Sequence, residues 1–313
     1  MLKRLVGAAA LSVTLAAPGA AQQLGIATMG QGTSGYSMGT AIARVLSDNG
    51  IGALVQPNAG TSAYMPLIQM GELDFGIANA IEVTDAHNGT GAFEGRALDA
   101  VRPAARLFPF RVGVFVRDDS EIEQIADLAG QRLTYGFTSQ VTLVPVLNAL
   151  LASGGVSPDQ IEPVLVPNVV RGADDFAAGR ADAAFFAMGS GKVTQTDAAV
   201  GGVRFLPIPE GAEAEAAMQA IVPQSYVTVA EPGPGLTGVD APLRTMAYDY
   251  MLVVGDHVPA ETVEQVVTIL QSSKDELVAS FASFSLMDPD SMRVDVGVPY
   301  HPGADAALTA LGQ

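Results

Sequence analysis

The chain has 313 residues, with 16 basic residues against 33 acidic ones and a formal charge of −17. That balance repels nucleic acid and anionic lipid, and solubility is its plain reading. The sequence contains no cysteine, which excludes disulfides, thiolate metal sites and cysteine nucleophiles together.

Met1-Leu2-Lys3-Arg4 precedes a small, apolar run ending at Ala17, and Pro18-Gly19-Ala20-Ala21 follows. A positive start, a short apolar core and small residues before a polar one predict a secretory signal peptide over 1–21, cleaved after Ala21. The run falls short of the ~20 apolar residues that a membrane span needs. The mature chain is expected to be soluble and exported, and long enough for two lobes with separate cores.

An apolar strand over 24–28 leads into Met29-Gly30-Gln31-Gly32-Thr33-Ser34-Gly35-Tyr36 and then a helix over 38–46. Glycines and hydroxyls at a strand-to-helix junction let backbone N–H groups and the helix N-terminus face an anion. The same residues also suit a capped turn that binds nothing. A strand over 51–56, a helix over 63–70, Gly71-Glu72-Leu73-Asp74 and a strand over 75–78 ending at Asn79 come next. That alternation predicts a parallel sheet with helices on both faces and a ligand at its C-terminal edge.

A loop over 87–91 and a mixed stretch over 101–110 precede a strand over 112–116. A short amphipathic helix then feeds a strand over 132–136. The opening arrangement recurs there: Phe137-Thr138-Ser139-Gln140-Val141-Thr142 heads a helix over 143–152, with Thr142 as its N-cap and Pro145 in the first turn. A strand over 161–166, a helix over 173–178, Gly179-Arg180-Ala181-Asp182 and a buried strand over 183–188 follow. The Gly-x-x-Asp unit thus occurs twice, each time one βα step after a hydroxyl-rich helix start, which suggests two lobes of similar build. Downstream, strands are expected over 203–207 and 225–230, and helices over 210–220, 262–272 and 274–281. The apolar stretch over 246–254 fits either a strand or a buried helix. Val298-Pro299-Tyr300-His301-Pro302-Gly303-Ala304 leads a last short helix.

Four of these places together resemble the TAXI solute-binding proteins of TRAP transporters, within the broader periplasmic binding proteins. They are the Gly/Thr/Ser loop behind the leader, the two Gly-x-x-Asp units, the segment Ser120-x-Ile122-x-x-Ile125-x-Asp127-Leu128-x-Gly130, and the terminal Pro299-Tyr300-His301-Pro302-Gly303-Ala304. The resemblance implies an α/β fold of periplasmic binding protein type II, with two Rossmann-like lobes joined by two crossing strands. The crossings are expected near 112–117 and 206–226, with 22–114 plus 222–313 as the first lobe and 115–221 as the second. It implies a periplasmic, non-enzymatic receptor without cofactor. Such a receptor binds a small organic anion or amino acid, glutamate-like or 2-oxoglutarate-like, and delivers it as a monomer to the ion-gradient-driven TRAP permease subunits.

Carried over by position, the first lobe contributes Thr33, Ser34, Gly35, Tyr36, Thr61 and Asn79 to the ligand. The second contributes Thr138, Ser139, Thr142, Met188, Gly189 and Ser190. Family members show Gly-Ser-Gly-Thr where this chain has Ser139-Gln140-Val141-Thr142, and valine blocks close backbone approach. The Gln140 amide either replaces a lost backbone contact or faces solvent. Arg106, Arg111 and Arg171 are candidates for a bidentate grip on a ligand carboxylate, or for salt bridges. His87, His257 and His301 lack ligand spacing, so no metal site is expected. Two alternatives stand beside this reading: a binding protein for another transporter or sensor, and an exported serine hydrolase. The second rests on Gly35-Tyr36-Ser37-Met38-Gly39, which fits a nucleophile elbow but lies on the first strand–helix junction without an oxyanion segment.

Overall fold

The computed structural model describes residues 23–313; the expected signal peptide lies outside them. The first half of the chain runs β1 (Leu24–Met29), α1 (Ser34–Asp48), β2 (Ala53–Asn58), α2 (Thr61–Gln69), β3 (Phe75–Asn79) and α3 (Ala80–Asn88). The long strand β4 (Val101–Arg117) follows. The second half runs β5 (Arg132–Gly136), α4 (Leu143–Ser153), β6 (Glu162–Val166), α5 (Val169–Ala177), β7 (Ala183–Ala187) and α6 (Gly191–Val200). Then come β8 (Val203–Phe205), α7 (Ala212–Gln219), β9 (Tyr226–Ala230), the long strand β10 (Leu243–Gly255), α8 (Ala260–Ser272), α9 (Lys274–Ser280) and α10 (Pro302–Ala310).

The two halves repeat one topology. Parallel strands lie in the order β2-β1-β3 in the first and β6-β5-β7 in the second. The Gly-x-x-Asp units explain why the sequence repeats there. Asp74 Oδ2 accepts from the Gly25 N–H at 2.7 Å, and Asp182 Oδ2 accepts from the Arg132 N–H at 3.1 Å. Each carboxylate satisfies a donor at the start of its central strand, so each registers the third strand of its half against the first. Asp182 also holds the Arg132 guanidinium, which keeps its carboxyl below the usual range.

β4 and β10 join the halves. They pair antiparallel with each other from Met246↔Val112 to Gly255↔Val101. The C-terminal part of β10 pairs with β3, and the C-terminal part of β4 pairs with β7. The remaining edges are taken by β9 on the N-terminal part of β10 and by β8 on the end of β4. The second crossing therefore falls on β10 and not near 206–226. β8 and β9 flank the second half, and the chain returns only through the apolar stretch at 246–254, which is strand. The mixed stretch at 101–110 is the first part of β4; its arginines interrupt the apolar pattern but face Asp256 and Asp249 at 3.1 and 2.8 Å.

Three further differences have local causes. α1 begins four residues earlier than its apolar stripe, because the Thr33 hydroxyl accepts from the Tyr36 N–H and caps it. Helices α3 and α6 were not expected. Each starts at a polar residue directly after a buried strand: Asn79 forms a reciprocal capping box with Glu82, and Ser190 accepts from Val193 N–H. At the C-terminus, His301 caps α10 through Nδ1, which accepts from Gly303 N–H, and burial holds its pKa below the usual range. Gly303 is obligatory, since a Cβ there would collide with the Ala260 carbonyl of α8.

Candidate functional site

The C-terminal edges of both half-sheets face one another across β4 and β10. Between them is a cavity of ≈ 30 Å³, room for a water or two. The first half supplies Met29 at the end of β1, Thr33 and Ser34 at the start of α1, and Asn79 and Glu82 at the start of α3. The second half supplies Gln140, Leu143, Val169, Phe185, Phe186 and Ala187. The crossing strands close the floor with Phe110 and Val112 from β4 and Tyr248 and Tyr250 from β10. Tyr248 and Tyr250 lie two apart on a strand and so point to one side.

Glu82 is the charged group of the cavity. Its Oε2 accepts from Asn79 Nδ2 at 2.7 Å, while its own N–H is held by Asn79 Oδ1 at 2.9 Å. Burial pushes its carboxyl up to about 7. The Thr61 hydroxyl, the Asn79 N–H and the Thr142 hydroxyl oppose that rise, and Asp85 adds to it. Thr61 lies on α2 and Thr142 at the start of α4, so groups from both halves converge on this carboxyl. Tyr248 and Tyr250 are held well above the usual phenol range, by burial first and then by Glu82. Tyr248 OH and Ser34 Oγ are buried without a hydrogen-bond partner.

The halves touch at a second point. Gln140 Nε2 lies 3.0 Å from Met29 Sδ, and its Oε1 accepts from the Val169 N–H at 3.0 Å. Its amide therefore serves the backbone of α5 and does not face solvent. Gly60 sits so close to Ser139 that a Cβ would strike the Ser139 carbonyl. The loop carrying these groups starts at Phe137, whose φ of +38° is the one positive value outside glycine among the described residues. Such a backbone costs energy and persists because Phe137 is buried against Phe185.

Of the expected ligand residues, Thr33, Ser34, Asn79 and Gln140 line the cavity. Thr61 and Thr142 reach it through Glu82; Thr142 stands at the N-cap position but makes no capping bond. Gly35 packs below the Tyr250 hydroxyl, and Tyr36 OH accepts from Gln31 at 3.3 Å on the surface side. Thr138 is exposed and Ser139 carries the inter-half contact. Met188 lies in the core, Ser190 caps α6, and Gly189 lines a separate cleft with Arg111. Arg171 pairs with Asp175 at 3.0 Å along α5 and Arg106 with Asp249, so neither lines the cavity. Ser37 lies inside α1 with its Oγ 3.4 Å from the Thr33 carbonyl, and the His301 ring caps α10, so neither side chain is engaged in the nucleophile–base pairing of a serine hydrolase.

The cavity-lining residues that sequence reasoning missed include Met29, Glu82, Phe110, Phe185, Phe186, Tyr248 and Tyr250. The Asn79-x-x-Glu82 spacing was a readable capping-box signal and marks both α3 and its carboxylate. Nothing in the sequence placed the β10 tyrosines opposite it.

A model of the NMT1-like family matches residues 26–311. Among solved structures, the alkanesulfonate-binding protein SsuA from Xanthomonas axonopodis pv. citri, bound to MOPS, is 16% identical with a TM-score of 0.50, over 92% of this chain and 83% of that one. The periplasmic aliphatic sulphonate-binding protein SsuA from Escherichia coli is 14% identical with a TM-score of 0.50, over 92% and 78%. A structure described as a periplasmic transporter is 12% identical with a TM-score of 0.58, over 93% and 96%. These likenesses establish the fold: mixed α/β and two-lobed, of the periplasmic binding protein type.

Proposed function

The chain belongs to the NMT1-like family, and from that premise we propose that it is an exported solute receptor that closes its two lobes on a small organic molecule. The observation that carries this reading is the cavity itself. Its walls come from both halves and its floor from the two strands that cross between them, the arrangement a hinged clamp requires. In this reading the leader at 1–21 directs the chain to the periplasm. The lobes are those expected from sequence, with the second boundary moved into β10. The ligand passes unchanged to a membrane permease, and the family resemblance favours the TRAP type. The likeness to the two sulfonate-binding structures allows delivery to a permease of another type as the second reading.

The implied carboxylate ligand is set aside, because Glu82 lines the cavity and the arginines proposed to hold a carboxylate lie elsewhere. A melting screen over organic acids, amines, amino acids and sulfonates tests the receptor reading. A binder raises the melting point by mass action and is recovered unaltered. Absence of any stabilising solute, or turnover of one, would refute it.

A further inference from the structure

We propose that the solute admitted when the lobes part beyond the water-sized space of this closed form is a small organic cation, an alkylammonium or amidinium, with Glu82 as its counter-charge. This inference rests on the receptor reading and names the chemistry of its ligand. Three observations converge. The lining includes a carboxyl and neither lysine nor arginine among the described residues. Phe110, Phe186, Tyr248 and Tyr250 surround the same space, and aromatic faces attract cations most strongly where water is excluded. Ser34 Oγ and Tyr248 OH are buried there without partners, a costly state that N–H donors of a ligand relieve through the hydroxyl lone pairs. A carboxylate or sulfonate in the same place meets a negative group, five aromatic side chains and no fixed positive charge.

A structural role for Glu82 accounts for only part of this. Its capping box with Asn79 serves the start of α3, but the same bonds are available to glutamine. Around the carboxyl stand Asn79 and Asp85 on its own helix, Thr61 and Tyr64 from α2, Thr142 from α4, and Tyr248 and Tyr250 from β10. None of these is cationic. A bound ammonium therefore supplies the one missing charge, favours the ionised carboxylate and releases a proton from it below neutral pH.

The test uses the mature protein with methylammonium, guanidinium and tetramethylammonium chlorides against sodium formate, acetate and methanesulfonate. Melting shifts and calorimetric affinities are measured at about pH 6 and about pH 8, where the Glu82 carboxyl changes from mostly protonated to mostly ionised. The expected result is stabilisation by at least one cation, with affinity roughly tenfold higher at the upper pH. Glu82→Gln should keep the free protein's fold and abolish both the binding and its pH dependence. Tyr248→Phe, which removes only the unpartnered hydroxyl, should weaken binding of the N–H donors more than that of tetramethylammonium. Stabilisation by the anions, strengthening as pH falls, would overturn the cation assignment and leave the receptor reading intact. Undiminished cation binding by Glu82→Gln would overturn it too. If none of these six ions binds while a solute of the wider screen does, the cation assignment fails alone; if that screen is empty too, the receptor reading fails with it.

Discussion

The two halves share strand order, helix order and the aspartate that registers the third strand, yet they present opposite chemistry to the space between them. The third helix of each half makes the point. In α3 the residue three past the N-cap is Glu82, and in α6 it is Val193. One topology thus delivers a buried carboxyl from the first half and a wall of Phe185, Phe186, Leu143 and Val169 from the second. The repeated parts, Asp74 and Asp182, serve the sheet, and the parts that diverged serve the cleft. Backbone registration tolerates little change, whereas a helix start accepts any residue that leaves the N-cap satisfied.

Four substitutions test that contrast. The largest expected effect lies in the second half, where the cavity wall is also folding core. Phe186 is 1% exposed, and Phe186→Ala should cost about 3–5 kcal/mol in denaturant unfolding. Glu82 should behave in the opposite sense. Its folded pKa, about 7, is raised above the unfolded value. The native state therefore binds the proton more tightly, and stability falls as pH rises from the unfolded pKa through the folded one. Glu82→Gln should flatten that decline and, above neutral pH, gain up to about 3 kcal/mol. A wild-type stability that rises across that window would show that the carboxyl is not desolvated.

Gly60→Ala separates folding from closure. The Gly60 φ of −178° suits any residue, so the lobes should fold normally, but the added methyl meets Ser139 of the other half. Ligand affinity should drop by about tenfold or more, ~1.4 kcal/mol, with a larger radius in solution scattering. Unchanged affinity would place closure elsewhere. At the shared element the effect on ligand binding is expected to vanish. Asp74→Ala orphans the Gly25 N–H and should cost about 1–2 kcal/mol, read as a lower urea midpoint, with ligand affinity unaltered.

Much of the architecture was legible because periodicity is local. Alternating apolar strands and striped helices, punctuated by Gly-x-x-Asp, announced two parallel half-sheets, and the Thr33 and Gln140 loops announced the edge where they meet. The helices after Asn79 and Ser190 escaped notice because their apolar stripes are short, although their caps were in view. The second crossing strand was misplaced because the 246–254 part of β10 is apolar but for Asp249, and such a run does not say whether it is strand or helix.

Sequence alone thus determined the two halves and their registering carboxylates, since each depends on contacts within one βαβαβ half. Only the tertiary structure decided what the cleft contains. Glu82, Thr142, Phe186 and Tyr248 come from four distant parts of the chain, and only the antiparallel pairing of β4 with β10 brings them together. Burial at that junction, more than its neighbours in sequence, pushes the carboxyl of an ordinary capping glutamate up to about 7.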